Sequence, residues 1–116
     1  LLSQDEIQAK IEQYQDHIEG LVDEIREAGR ESAITETNYE IAYAQERLNA
    51  RFGGDEGRAK LNVDTVNDVA TTKTAELRRE MLLARNNLST LREALQASRT
   101  NLESMRTLAA SHRNIV

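Results

Sequence analysis

"RREMLLARNNLSTLREALQASRTNLESMR" (residues 78–106) returns an arginine at every seventh position: Arg78, Arg85, Arg92, Arg99 and Arg106, with Arg113 one repeat beyond. Beside that line, Leu77, Met81, Ala84, Leu88, Leu91, Leu95, Leu102, Met105 and Ala109 follow in steps of three and four, with Ser98 in the one polar place. An apolar strip with that spacing runs along one side of an α-helix, and it leaves water only when a second helix covers it. Positions 81, 88, 95, 102 and 109 are a, positions 77, 84, 91, 98 and 105 are d, and the arginines stand at e, on the flank.

The covering helix is found upstream. Ile7, Ile11, Tyr14, Ile18, Leu21, Ile25 and Ala28 carry the same spacing, with d at 7, 14, 21 and 28 and a at 11, 18 and 25. Ser3-Gln4-Asp5-Glu6 is a capping box, in which Ser3 accepts from the Glu6 amide and Glu6 reaches back to the Ser3 amide. Between the two seams lies "RFGGDEGR" (51–58), where Gly53, Gly54 and Gly57 beside Asp55 are turn chemistry. The reading is an all-α fold, a long antiparallel helical hairpin forming one domain over 1–116. It has a helix over 3–52, a turn at 53–57 and a helix over 58–114.

In an antiparallel pair, a on one helix shares a layer with d on the other, so facing residue numbers sum to 109 or to 116. The glycines favour 109. That register pairs Ile7 with Leu102, Tyr14 with Leu95, Ile18 with Leu91 and Leu21 with Leu88, and, nearer the turn, Leu48 with Leu61. Two places look weak. Gly20 and Gly29 each cost about 1 kcal/mol relative to Ala inside a helix. After Gly29 the large apolar residues shift to Ile34, Ile41 and Leu48, and Thr37 with Glu40 offers a fresh capping box, so a break is expected near 29–37. In the second helix "NVDTVNDVATTKT" (62–74), rich in β-branched residues, is the poorest helix former.

The arginine line has no use inside such a hairpin. In an antiparallel pair e runs beside e, and the first helix presents Gln8, Gln15, Val22 and Gly29 there, none of them acidic. Asp5, Glu12, Asp16, Glu19 and Asp23 face away from the seam. Arg78, Arg79, Arg85, Arg92, Arg99 and Arg106, with Leu82 and Leu83 beside them, are therefore the candidate partner-binding residues. The seam residues proper are Ile7, Ile11, Tyr14, Ile18, Leu21, Ile25, Leu88, Leu91, Leu95, Leu102 and Met105. Val22, Leu82, Leu83, Leu108 and Ile115 remain off the seam, which points to self-association into a helical bundle.

Composition narrows the function classes. Charged residues make up 30% of the 116, aromatics 3%, and Pro and Cys are absent, the profile of long helices without disulfides or thiolate metal sites. No apolar run approaches the roughly 18 residues of a membrane span. The opening Leu1-Leu2-Ser3-Gln4-Asp5 lacks the layout of a signal peptide, and without an initiator Met it reads as a trimmed or processed chain. A cytoplasmic location is expected. Residues 1–60 hold fourteen acids against seven bases, and 61–116 hold six against eight, within a net charge of −5. His17 and His112 fall roughly 30 Å apart in the favoured register and cannot share a metal. Solvated carboxylates on helical faces lack the burial that acid–base catalysis needs. "FGGDEG" lacks the Lys-Ser/Thr of a phosphate loop. The expectation is a protein without enzymatic activity, cofactor, metal or small-molecule substrate, working through protein partners and a second copy of itself. Nucleic acid contact is expected to be weak, because a basic face without aromatics grips phosphates but stacks no bases.

"YEIAYAQERLNA" (39–50) and "AELRREMLLARNNLSTLREALQASRTNLESMRTLAASHR" (75–113) resemble small helical proteins of tailed phages. In that group a Tyr-Glu-x-Ala-Tyr-Ala segment precedes a turn and a closing helix carries Leu-Arg-x-x-Leu repeats. The likeness spans about two thirds of the chain. It implies a role accessory to recombination or replication of phage DNA, in the cytoplasm of the infected cell, and carries over no catalytic residue. Three other classes compete. They are an acidic phage inhibitor of host defence, a scaffolding protein of phage assembly, and a secreted WXG-type hairpin. Against the last, Phe52-Gly53-Gly54 has no Trp and no Tyr-x-x-x-Asp/Glu signal follows.

Overall fold

The computed structural model describes residues 2–52 and 62–115. The fold is all-α, a helical hairpin of three helices: α1 (Gln4–Phe52), α2 (Val63–Lys73) and α3 (Ala75–Ile115). The expected turn at 53–57, the helical start at 58 and the pairing of Leu48 with Leu61 lie outside the described residues. Two compact units make up the chain: one of Leu1–Ala28 with Asn87–Val116, the other of Gly29–Asn86. Within each, α1 runs antiparallel to the returning helix.

The N-terminus of α1 carries the Ser3 half of the expected capping box, without the return bond from the Ser3 amide to the Glu6 side chain. Ser3 Oγ accepts from the Glu6 amide at 3.1 Å, and the Ile7 amide donates to the Ser3 carbonyl at 3.0 Å. No break follows at 29–37, contrary to expectation; α1 is continuous for 49 residues. Neither Gly20 nor Gly29 has a neighbour within 4 Å of where a Cβ would sit, so both act only through backbone entropy. That cost of about 1 kcal/mol each is outweighed by packing on either side.

The seam does not change phase either. Ala28, Ser32 and Thr35 are buried, Tyr39, Ala42 and Glu46 are half-buried, and the step pattern begun at Ile7 runs on unbroken. Ile34, Ile41 and Leu48, expected to carry the seam past Gly29, are 48%, 53% and 59% exposed instead. Small polar side chains serve at the seam because their hydroxyls can be satisfied within the helix. Thr35 Oγ1 donates to the Glu31 carbonyl at 2.9 Å and lies 3.1 Å from the Ser32 carbonyl. Buried without such partners they would be costly.

The second arm is two helices where one was expected. Asn62 Oδ1 caps α2 by accepting from the Thr65 amide at 2.8 Å. At Thr74 the backbone leaves helical geometry, φ −107° and ψ 12°. Yet the ladder continues through it: the Thr74 amide donates to the Ala70 carbonyl at 3.0 Å and the Arg78 amide to the Thr74 carbonyl at 2.9 Å. Thr74 Oγ1 also donates to the Ala70 carbonyl, at 2.6 Å, the back-bonding that bends helices at threonine. The interruption falls at the end of the β-branched stretch 62–74.

The register is the one with facing numbers summing to 116, not 109. In the first unit Ile7, Ile11 and Leu102 form a buried cluster with Leu2, Tyr14, Ile18, Met105 and Ala109 packed against it. A sum of 116 stacks Ile7 with Ala109, Ile11 with Met105, Tyr14 with Leu102 and Ile18 with Ser98, four successive layers that yield this membership. A sum of 109 would leave Ile18 beside Leu91, about 10 Å or more along the axis from each buried member. In the second unit Arg85 Nη2 lies 3.6 Å from Glu36 Oε1, and Lys73 Nζ lies 3.6 Å from Glu46 Oε2. A sum of 109 would hold Glu36 about 18 Å from the level of Arg85, beyond its reach, whereas 116 brings it within about 8 Å.

Cysteines replacing Leu21 and Leu95 should therefore form an intramolecular disulfide on mild oxidation, while cysteines at Leu21 and Leu88 should not. The first pair shares a layer; the second is offset by about 10 Å, too far for a bridge. Gel mobility with and without reductant reads the result, and preferential closure of the Leu21–Leu88 pair would restore the other register.

Candidate interaction surfaces

Of the predicted seam residues, Ile7, Ile11, Leu21, Leu88 and Leu102 are buried, and Tyr14, Ile18, Ile25, Leu91, Leu95 and Met105 are half-buried. They are structural. The candidate partner-binding residues Arg78, Arg79, Arg85, Arg92, Arg99, Arg106, Leu82 and Leu83 are all exposed.

Their electrostatic settings differ. Arg79 pairs with Glu76 at 3.1 Å and Arg106 with Glu103 at 3.0 Å, both one helical turn away. Arg85 departs from the expectation of an unpaired line. Besides Glu36 it approaches Met81 Sδ at 3.7 Å. Because the seam of α1 keeps its phase, the e line 8, 15, 22, 29 has one more member, and that member is the acid Glu36. Both partners are about half exposed, so the pair is worth roughly 0–1 kcal/mol. Arg78, Arg92 and Arg99 form no ion pair among the described residues.

In the second unit an open depression of about 320 Å³ on the α2–α3 arm is lined by Thr71, Ala75, Arg78, Arg79, Leu82 and Leu83. Thr71 and Ala75 lie on either side of the break. Leu82 and Leu83 give it an apolar wall, 39% and 54% exposed, and Arg78 and Arg79 set two cations at its rim. Leu108, in the first unit, is exposed alone; Val22 there is half-buried, and the side chain of Ile115 lies outside the described residues.

A second surface runs along α1 in the same unit. Ile34, Ile41, Leu48 and Phe52 are exposed on one face, and beside Leu48 and Phe52 an open groove of about 340 Å³ is lined also by Val66, Ala44, Arg47 and Arg51. The Arg51 guanidinium lies over the Phe52 ring at 5.3 Å. Sequence reasoning missed this face as a surface. The signal was present in the spacing: with the seam continued from Ala28 through Ser32 and Thr35, residues 34, 41 and 48 necessarily fall outside it.

His17 is exposed and His112 half-buried with its Nδ1 enclosed and unpartnered. In the observed register they stand about 20 Å apart along the axis. Among the described residues no three His, Asp or Glu side chains gather as a metal ion would require. Among the described residues, too, no helix is long and apolar enough to cross a membrane. Comparison of the chain with protein-family models, with curated proteins and with solved structures finds no match.

Proposed function

We propose that this chain is a non-enzymatic helical interaction protein that binds a protein partner through α3. The observation that carries this reading is the depression on the α2–α3 arm, where an apolar wall of Leu82 and Leu83 meets the cations Arg78 and Arg79. Its complement is an amphipathic helix with acids flanking its apolar stripe, the helix-in-groove mode of recognition. Nucleic acid is the poorer ligand. Arginines one heptad apart stand about 10 Å from one another, and a net charge of −5 opposes phosphate binding. The resemblance to small helical phage proteins supports a place among accessory factors of recombination or replication, acting on a protein of that machinery and not on DNA directly.

A photo-crosslinking side chain at Leu83, expressed in the native cell, tests this. It should capture one protein through an acidic helical segment, and Arg78→Glu with Arg79→Glu should reduce the adduct by about tenfold or more, as a rim of two like charges facing acids would. Capture at Leu83 no greater than at exposed Asn101, or capture chiefly of nucleic acid, would exclude the reading.

A further inference from the structure

The first unit carries two charged lines of opposite sign on one of its faces. On α3 it is the e line, Arg99, Arg106 and Arg113, each directly after a d position of the seam. On α1 the e line is Gln8, Gln15 and Val22. Glu12 and Glu19 stand four residues after Gln8 and Gln15, and Asp5 three before Gln8. Residues three and four apart are neighbours on a helix surface, so these acids border the e line on the side away from the seam. In an antiparallel pair the two e lines share one side of the hairpin, as the Glu36–Arg85 contact shows in the second unit. The acids of α1 and the arginines of α3 thus look out from the same face. All six are exposed; Arg106 pairs with Glu103 of its own helix, and the other five form no ion pair among the described residues. The opposite face sets Lys10, His17 and Glu24 against Asn87, Ala94 and Asn101, with no such opposition of sign.

This face complements itself. A second copy given a half-turn about an axis parallel to the two helices sets α1 of each copy over α3 of the other. The hairpin's own register then fixes the level of every residue, so no stagger is left to choose. Glu19 of one copy stands level with Arg99 of the other to within two residues, about 3 Å along the axis. The same offset holds for Glu12 with Arg106 and for Asp5 with Arg113, and an arginine side chain spans it. Twofold symmetry repeats each pair, and every pair joins the two copies. One step further in, Arg26 meets Arg92, a like pair tempered by Asp23 at 3.7 Å from Arg26, and the match ends there. The other twofold, about an axis running across the face, would set arginine over arginine and acid over acid.

We propose that a second copy of this chain docks on this face of the first unit, the acids of each α1 meeting the arginines of the other copy's α3. This adds to the interaction-protein reading and uses none of the residues of the α2–α3 depression, so either can fail alone. Sedimentation equilibrium should report a dimer at micromolar concentration and low ionic strength. The dimer should dissociate as salt approaches about 1 M, where charges are screened beyond about 3 Å. Glu12→Arg alone and Arg106→Glu alone should each raise the dissociation constant about tenfold or more, because each change enters the interface twice. Both variants should keep the helical circular dichroism of the parent, since the two side chains are exposed. An equimolar mixture of the two variants should associate with a constant close to that of the wild type. Each chain in that mixture carries like charges at 12 and 106, so pairing within a chain cannot produce the rescue. A wild-type chain that is monomeric at low ionic strength overturns the proposal, as does a dimer indifferent to salt and to both changes, or a mixture that stays monomeric. A dimer abolished by Leu82→Glu with Leu83→Glu and untouched by the charge changes would place the second copy on the α2–α3 arm and overturn it equally.

Discussion

Ile7→Ala should lower the free energy of unfolding by roughly 2–4 kcal/mol, the cost of truncating a well-enclosed aliphatic side chain in a core that collapses only in part. Ile7 is 1% exposed, the most enclosed apolar side chain of the first unit's cluster, with Leu2, Met105 and Ala109 in that cluster around it. Ile7→Val should cost only about 0.5–1.5 kcal/mol. Urea unfolding followed by circular dichroism, at one fixed protein concentration so that association does not contribute, measures both. An alanine variant within about 1 kcal/mol of the parent would mean that the first two turns of α1 are not part of the cooperative core.

Ala70→Glu is the second large effect, expected to cost about 3 kcal/mol or more. Ala70 is 0% exposed, so any longer side chain must displace its surroundings. In the observed register it shares a layer with Glu46, whose Oε2 is enclosed, accepts no hydrogen bond and has Lys73 at 3.6 Å. A second carboxylate there adds a like charge to one that is already poorly solvated. Ala70→Lys suffers the same crowding but meets an acid, so it should be the milder of the two. Thermal unfolding of the pair decides it. If the lysine variant were as unstable as the glutamate one or more so, Glu46 could not be the residue facing position 70.

How far the sequence could be read divides at Gly29. Before it, Ile7 to Ala28 and Leu88 to Met105 carry large apolar residues at nearly every seam position, and spacing alone identifies both helices and the side each buries. After it, the seam is built from Ser32, Thr35, Ala42 and Glu46, which carry little hydrophobic signal, while Ile34, Ile41 and Leu48 carry a strong one. A reading led by hydrophobicity follows the larger residues onto the wrong face. What those residues mark is a surface, and the continuity of the helix through Gly29 is what reveals it. The register was ambiguous for a related reason. Both sums obey the layer rule, and the position of the glycine cluster favours the one that the packing of Ile7, Ile11 and Leu102 does not. The arginines were legible as a flank line, but the acid facing one of them became visible only once the heptad count was carried past Gly29 to Glu36.

The polar seam of the second unit also bears on time. Cooperative opening of a helical segment is resisted chiefly by the apolar area that opening would expose, and layers of serine, threonine and alanine expose little. Hydroxyls bonded to their own helix, as Thr35 is to the Glu31 carbonyl, keep those bonds when the neighbouring helix moves off. The Ser32–Glu46 side of that seam is thus expected to open more readily than the isoleucine and leucine layers of the other unit. Both candidate surfaces lie in the second unit. A partner needing a few ångströms of accommodation would find the chain softest where it docks.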